Sequence, residues 1–463
     1  MKFYNREKEI ETVKNLRKLS EKHAHMLVVM GRRRVGKTRL IKDAVGGNYF
    51  FVDKKSSGLL LKEFSESLGI GLGIFVPEFA NWDDLIRYIF EYSRKNHIVI
   101  VFDEFQNFRY VDPSVFSIFQ KHWDAYSASS RILLVFIGSY VGLMKKIFTE
   151  EKEPLYGRIT ARIDLKPLKY RFTREICREL GITDEEDIVK LYITFGGIPR
   201  YYQLMEEYGL SDYEKTLKTL IFDENAVLRD EARHILVGEL GRNYTIYFSI
   251  LEAVSFGKNT LKEISDFTGV EMKSLGKYLG ELIRDFDLVE RRTPVTGGEK
   301  MGRYILKDNL IKFWFRFVYP NTSFIEMGRN ELVLKRVKEE MPDYMGKAVE
   351  DVVREMMVQK LPFEPTSFGS WWNRRGKEID LVALNEKTGE IVFGEIKWNG
   401  RGMGKEVIEE LFEKKELVEW RKGRRREYYM LFSKKGFTKG AEEMMKEKGV
   451  VGFELRDMGS ISK

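Results

Sequence analysis

The chain has 463 residues, 43% of them hydrophobic and 13% aromatic, which is ample for packed cores and too long for one, so about two to four domains are expected. No apolar run approaches the roughly 20 residues of a membrane helix, and residues 1–11 are charged and lack the apolar stretch of a secretory leader, so neither a membrane partner nor an exported chain is expected. Lys and Arg outnumber Asp and Glu by 79 to 71, a net charge of +8 that admits a nucleic-acid partner without demanding one.

Phe3-Tyr4-Asn5-Arg6-Glu7-Lys8-Glu9-Ile10 opens a helix. Its apolar positions Ile10, Val13 and Leu16 recur at helical spacing, and Asn5 is its expected N-cap. His23-x-His25 reads as a surface turn, and the five histidines form no metal pattern. Met26-Leu27-Val28-Val29-Met30 then reads as a buried strand. The next eight residues, Gly31-Arg32-Arg33-Arg34-Val35-Gly36-Lys37-Thr38, match G-x-x-x-x-G-K-[ST] without a gap. Leu40, Ile41, Ala44 and Val45 continue as an apolar-periodic helix. Gly31 and Gly36 let the backbone turn tightly and present N–H groups to phosphate oxygens. The helix aims the positive end of its dipole at the same anion. Lys37 can reach the β- and γ-phosphates, and the Thr38 hydroxyl can ligate Mg²⁺. Arg32, Arg33, Arg34, Val35 and Arg39 are counted with them as nucleotide-facing.

An amphipathic helix over residues 82–92 leads into His97-Ile98-Val99-Ile100-Val101-Phe102-Asp103-Glu104. Acids at the end of an apolar strand are the second half of a nucleotide site: Asp103 holds Mg²⁺ and Glu104 orients the attacking water. A third strand, residues 131–139, ends at Ser139, which senses the γ-phosphate from between those two motifs or is a plain turn serine. Arg158, after Leu155-Tyr156-Gly157, is a candidate arginine finger or an ordinary surface arginine. Phe195-Gly196-Gly197-Ile198-Pro199-Arg200-Tyr201-Tyr202 ends one helix and starts another, with Pro199 in the first turn. The single cysteine, Cys177, excludes a disulfide framework and a cysteine zinc site, so the expected compartment is cytosolic. Charged residues at 32% with only four glutamines suit a protein from a very hot environment.

F-x-N-R-E-x-E, G-R-R-R-V-G-K-T, F-D-E-F-Q, F-I-G-S, L-Y-G-R and G-G-I-P-R-Y-Y occur in that order over about the first 210 residues. Together they resemble the archaeal ATPase family, a branch of the P-loop ATPases akin to the AAA+ and signalling (STAND) groups. The resemblance implies ATP and Mg²⁺ as cofactors, a parallel sheet with the acidic strand between the phosphate-loop strand and its neighbours, and a small helical lid. It implies that Asn5 and Arg6 lie against the adenine and that 196–200, Pro199 included, sits near the nucleotide.

From residue 244 the pattern changes. Helical runs at 246–254 and 261–267, a turn at Gly269 and a helix over 272–286 precede the strand Leu288-Val289-Glu290-Arg291-Arg292, a glycine-bearing loop and a return strand 303–306. Three helices and a two-stranded wing resemble a winged helix-turn-helix. Lys273, Ser274 and Lys277 would face outward, with Lys300 and Arg303 on the wing, contacting DNA or docking on protein. The aromatic run 310–320 is expected to be buried between domains.

Residues 343–357 form a helix with Glu350 off its apolar stripe. Strands follow at 367–372, Glu378-Ile379-Asp380-Leu381-Val382-Ala383-Leu384 and Ile391-Val392-Phe393-Gly394-Glu395-Ile396-Lys397-Trp398. A hairpin places Asp380 beside Glu395, and period-two geometry puts Glu395 and Lys397 on one face. Two carboxylates and the Ile396 carbonyl can hold Mg²⁺, and Lys397 can orient its water. With Glu350 as a third acid, this is similar to the PD-(D/E)xK nuclease superfamily, and it also fits the C-terminal domain that commonly follows the archaeal ATPase module. Such a fold either cleaves or only binds. A helix at 405–420 precedes the basic cluster 421–426, which either grips a DNA backbone or suits a helix end.

The expected fold class is α/β: a P-loop core at 1–165, a helical lid at 166–240, a winged helix at 241–320 and a restriction-endonuclease-like domain at 340–455. The expected function is ATP hydrolysis acting on DNA, with Asp380, Glu395 and Lys397 as a gated cleavage centre. The alternatives are a nucleotide-operated switch that binds DNA or protein through catalytically silent domains, and an ATP-dependent assembly factor. A homo-oligomer is compatible with all three.

Overall fold

A computed structural model describes residues 2–240, 244–298, 301–398 and 400–461. The chain divides into two compact units. The first comprises Met1–Leu168 with Ile198–Leu204 and Gly280–Asp287, and the second takes the remainder. Among the described residues no helix is long and apolar enough to cross a membrane.

The first unit is built on five parallel strands: β1 (His25–Met30), β2 (Asn48–Phe51), β3 (Ile98–Asp103), β4 (Ile132–Gly138) and β5 (Ala161–Asp164), in the order β2-β3-β4-β1-β5. Strand side chains alternate between faces. Met26, Val28 and Met30 enter a core with Phe50, Phe64, Trp82 and Phe102 on one side. Leu27 and Val29 enter a second core with Val13, Leu16, Leu40 and Ile41 on the other. A sheet covered on both faces needs continuous apolar runs, which is why β1, β3 and β4 stand out in the sequence.

Three expectations change here. Between the phosphate-loop strand β1 and the acidic strand β3 lies β4, so the acidic strand is not β1's neighbour. The extra strand sets β1 and β3 about 10 Å apart, at roughly 4.8 Å per strand, and opens a crevice at their carboxyl ends. Asn5 is not a helix cap. It adopts φ +50°, a left-handed conformation that Asn tolerates, and the helix α1 (Glu7–Ser20) starts after Arg6. His25 opens β1 rather than sitting in a surface turn.

The second unit contains short helices including Tyr170–Glu179, Glu185–Phe195 and Tyr213–Leu217. The helices Tyr244–Ser255 and Leu261–Thr268 are followed by the antiparallel pair β6 (Val289–Arg292) and β7 (Arg303–Leu306). Thr260 and Glu263 form a reciprocal capping box at the start of Leu261–Thr268, and Gly269 at φ +70° ends it. Lys273, Ser274 and Lys277 are exposed, as the amphipathic pattern requires, while Lys300 lies outside the described residues. The aromatic run is buried within this unit as far as Val318, with Tyr319 exposed: Phe313 and Phe317 pack on Tyr344, and Trp314 and Phe315 on Phe248.

The C-terminal sheet has the order β12-β11-β10-β9-β8, from β8 (Ser367–Trp372), β9 (Glu378–Asn385), β10 (Glu390–Lys397), β11 (Arg426–Ser433) and β12 (Val450–Glu454). β8, β9 and β10 are antiparallel, and β10, β11 and β12 are parallel. The helix Asn330–Met357 precedes the sheet, and Lys405–Lys415 links β10 to β11, ending five residues earlier than the apolar spacing implies. Trp371, Ile379, Val382, Phe393, Ile408 and Leu431 form its core.

Candidate functional site

The loop after β1 owes its shape to its glycines. A Cβ on Gly31 would come within 2.3 Å of the Leu165 carbonyl oxygen, and Gly36 turns at φ +100°. Arg34 takes φ +64°, the Val35 side chain is buried, and α2 (Lys37–Ala44) begins at once. Lys37 is buried, with its Nζ donating to the carbonyls of Gly31 at 2.9 Å and Arg32 at 3.0 Å. Burial pulls its pKa down to about 8, against the attraction of Glu104 and Asp103.

Thr38 Oγ1 donates to Asp103 Oδ2 at 2.7 Å, and the Tyr49 hydroxyl donates to the same oxygen. Asp103 Oδ1 accepts from the Glu104 amide at 2.8 Å. Glu104 adopts φ +54°, a strained setting of the kind found at functional positions. Its Oε2 accepts from Gln106 and, at 2.7 Å, from Ser139 Oγ at the end of β4. The two strand ends and the loop thus present Lys37, Thr38, Asp103, Glu104 and Ser139 together. A glycine cradle with an ammonium inside it and a hydroxyl–carboxylate pair beside it suits a Mg-nucleotide.

The flanking candidates are engaged as follows. Arg6 is buried and donates to the Lys166 carbonyl at 2.6 Å, with Glu9 at 3.6 Å, so it fixes the N-terminal segment behind β5. Arg33 lies over the Tyr140 ring at 5.9 Å. Arg39 pairs with Asp43 at 3.3 Å and covers the Phe3 ring, which would lie 3.3 Å from a Cβ on Gly36. Arg158 grips both oxygens of Asp124 at 2.8 and 2.7 Å and donates to the Pro154 and Tyr156 carbonyls. Pro199 opens the helix Pro199–Glu207 within the stretch counted with the first unit.

In the second unit Glu350, Glu378, Asp380, Glu395, Glu410, Lys347, Lys377, Lys397 and Lys414 line one cavity of about 380 Å³. The β9–β10 register, with Leu381 opposite Gly394, carries Asp380 beside Glu395 as expected. Asp380 Oδ2 accepts from the Ile396 amide at 2.9 Å, and its backbone carbonyl accepts from Arg354 at 2.7 Å. Glu395, whose side chain is 2% exposed, pairs with Lys414 at 3.0 Å and Lys397 at 3.6 Å. Burial and then the nearby Asp380 charge push Glu395 up to about 7, and the same two causes push Glu350 up to about 8.

One expectation is corrected in this cavity. Among the described residues no three His, Cys, Asp or Glu side chains are gathered closely enough to hold an ion. Glu350 has Arg354 at 4.0 Å, on a helix whose Val349, Val352, Val353 and Met356 are buried. The donor set present, two carboxylates and the Ile396 carbonyl, suits Mg²⁺, which keeps several of its waters.

Sequence reasoning missed four side chains that hold these groups in place: Tyr49, Gln106, Arg354 and Lys414. Only Gln106 had a local signal, two residues after Glu104 in F-D-E-F-Q. It also missed the attachments of the β6–β7 pair. Arg303 Nη1 reaches both carboxylate oxygens of Glu378 at 2.9 and 2.8 Å, and Arg292 pairs with Asp351 at 2.6 Å. Trp372 Nε1 donates to the Met301 carbonyl at 3.0 Å, and the Val295 amide to that of Ser370 at 3.0 Å.

A glycine phosphate loop after the first strand of a parallel five-stranded sheet, with an acid pair two strands away, defines a P-loop ATPase type of domain. The sequence pattern of the "ATPase domain predominantly from Archaea" matches residues 3–205. A pattern described as "Archaea bacterial proteins of unknown function" matches residues 314–410. Over 426 residues the chain is 32% identical to the uncharacterized protein MJECL04 of Methanocaldococcus jannaschii, covering 90% of this chain and 92% of that protein, and it belongs to that protein's family. It is also 32% identical over 100 residues to the uncharacterized protein MJ0424 of the same organism, covering 22% of this chain and 87% of the other. In fold it is similar to the Walker-type ATPase PABY2304 of Pyrococcus abyssi, with a TM-score of 0.53 and 19% identity over 68% of this chain and 96% of that one.

Proposed function

We propose that the protein hydrolyses Mg-ATP and acts on DNA, with the C-terminal sheet as a Mg-dependent nuclease whose access ATP turnover controls. The observation that carries the ATPase part is the Thr38–Asp103 pair at 2.7 Å with Glu104 beside it. In this reading the loop amides from Gly31 to Thr38 bind the phosphates, and Lys37 exchanges its two carbonyl partners for phosphate oxygens. Thr38 and Asp103 would hold Mg²⁺, which supplies charge neutralisation across the β- and γ-phosphates. Glu104 orients the water and accepts its proton, steadied by Gln106 and Ser139.

The C-terminal part rests on the order of elements. A helix bearing Glu350, an antiparallel β8–β9–β10 bearing Asp380 and Glu395-x-Lys397, a helix and a parallel strand follow one another as in PD-(D/E)xK nucleases. Asp380, Glu395 and the Ile396 carbonyl would hold Mg²⁺, which there supplies a nucleophilic water at neutral pH. Lys397 orients that water and offsets phosphate charge. The helices before β6–β7 are taken as a winged helix presenting Lys273, Ser274 and Lys277.

One observation favours a second reading. Lys414 and Lys397 both sit on Glu395, which suits a STAND-like nucleotide switch that binds DNA or protein without cleaving. Incubating wild type and Asp380→Ala with linear DNA in Mn²⁺ separates the two: cleavage lost in the variant supports the nuclease, and identical products from both dismiss it.

A further inference from the structure

Three basic segments lie on or beside the C-terminal sheet, and the strand register separates them. β10 starts at Glu390, paired with Arg426 of β11, so the turn 421–426 lies at that end of the sheet. Glu395 is five residues further on, roughly 17 Å at about 3.3 Å per residue. β9 runs antiparallel to β10, so the turn 373–377 that joins β8 to β9 lies at the Glu395 end. Gly376 and Lys377 line the cavity that holds Asp380 and Glu395.

Their cations differ too, apart from Arg424, which is exposed in the far turn with no side-chain partner among the described residues. In the far turn Arg425 is spent on Glu427 and on the carbonyls of Lys415, Val418 and Trp420. Arg421 donates to the Glu386 carbonyl, and Lys422 pairs with Glu416. On the wing, Arg303 is spent on Glu378. Arg374, Arg375, Lys377 and the nearby Lys347 are exposed and, among the described residues, show no side-chain hydrogen bond or ion pair. The turn that carries three of them is firmly built. Asn373 Oδ1 accepts from the amides of Arg375 at 2.9 Å and Lys377 at 3.2 Å, and Gly376 turns at φ +79°.

We propose that this turn, with Lys347 across the cavity, is the surface on which the phosphodiester backbone of DNA lies as it crosses the acidic cavity. Unpaired cations release condensed counterions on contact at no cost in broken ion pairs, whereas Arg303 and Arg425 would first have to give up their partners. The inference rests on the nucleic-acid part of the function proposed above and not on cleavage.

The test is fluorescence anisotropy of the full chain with a short labelled DNA duplex in Ca²⁺, titrated at several salt concentrations. Arg374→Ala/Arg375→Ala is expected to weaken binding about tenfold or more and to lower the salt slope by roughly 2, at an unchanged thermal midpoint. Arg374→Lys/Arg375→Lys should restore most of the affinity. Arg421→Ala/Lys422→Ala, which removes cations already engaged, should stay within about twofold of wild type. Unchanged affinity in the first variant, an equal loss in the third, or no DNA binding by wild type overturns the proposal. Tighter binding of an RNA duplex of the same sequence overturns the choice of DNA. Binding lost in the first variant while wild type cuts nothing in Mn²⁺ keeps this surface and removes the nuclease. Cleavage with unchanged affinity does the reverse.

Discussion

Thr38 Oγ1 lies 2.7 Å from Asp103 Oδ2, so the loop after β1 meets the end of β3 across the intervening strand β4. That contact brings a hydroxyl and a carboxylate together where a triphosphate and its metal would sit. It leaves Glu104, the next residue, as the group able to take a proton from water.

Glu104→Gln should therefore keep nucleotide affinity within about threefold and lose about 100-fold or more in ATP turnover. Ser139→Ala removes one of the two donors on Glu104 and should cost less, about tenfold. Phosphate release and fluorescent-nucleotide binding read both. Full turnover in Glu104→Gln would assign the water to another residue.

How much of this was legible depends on where the relevant forces act. β1, β3 and β4 are buried on both faces and show as unbroken apolar runs. β2 and β5 are four-residue strands at the sheet's edges, too short for a pattern. The strand order is set by helical crossovers that local spacing does not encode, which is why β4 between β1 and β3 was not foreseen. The phosphate loop and the Asp380–Glu395 pairing were readable because backbone geometry at short range dictates both. Tyr49 on Asp103 and Lys414 on Glu395 join residues 54 and 19 positions apart, and no local pattern announces such pairs. Asn5 misled because a good capping residue also tolerates the left-handed conformation that it adopts here.

Glu427 is an acid-sensitive group of the C-terminal sheet. Burial raises its pKa, but hydrogen bonds from Lys415, Tyr429 and Arg425 outweigh that and hold it at about 2. A carboxylate depressed on folding contributes stability that is complete above its ordinary range near 4.5 and is lost as pH falls through 2. Discounted for solvent screening of a partly exposed group, Glu427→Gln should cost about 1 kcal/mol at pH 7, with the gap narrowing below about pH 4.5 and nearly closed at pH 2. Urea melts across that range check it, and a gap independent of pH would contradict it.

The β6–β7 pair is tied to the C-terminal sheet by Arg303 and Glu378, both mostly buried. Arg303→Glu and Glu378→Arg should each destabilise, and the double variant should recover part of the loss. The coupling expected is about 1 kcal/mol, as for a partly exposed pair. Strictly additive losses in a double-mutant cycle would show that the pair contributes nothing.

The most direct test of the whole account is titration calorimetry of the full chain with Mg-ATP, alongside Lys37→Ala. Wild type should release heat of binding with one nucleotide site per chain, and the variant should show none. Silence from wild type, or equal heat from both proteins, would mean that the loop after β1 does not hold a triphosphate.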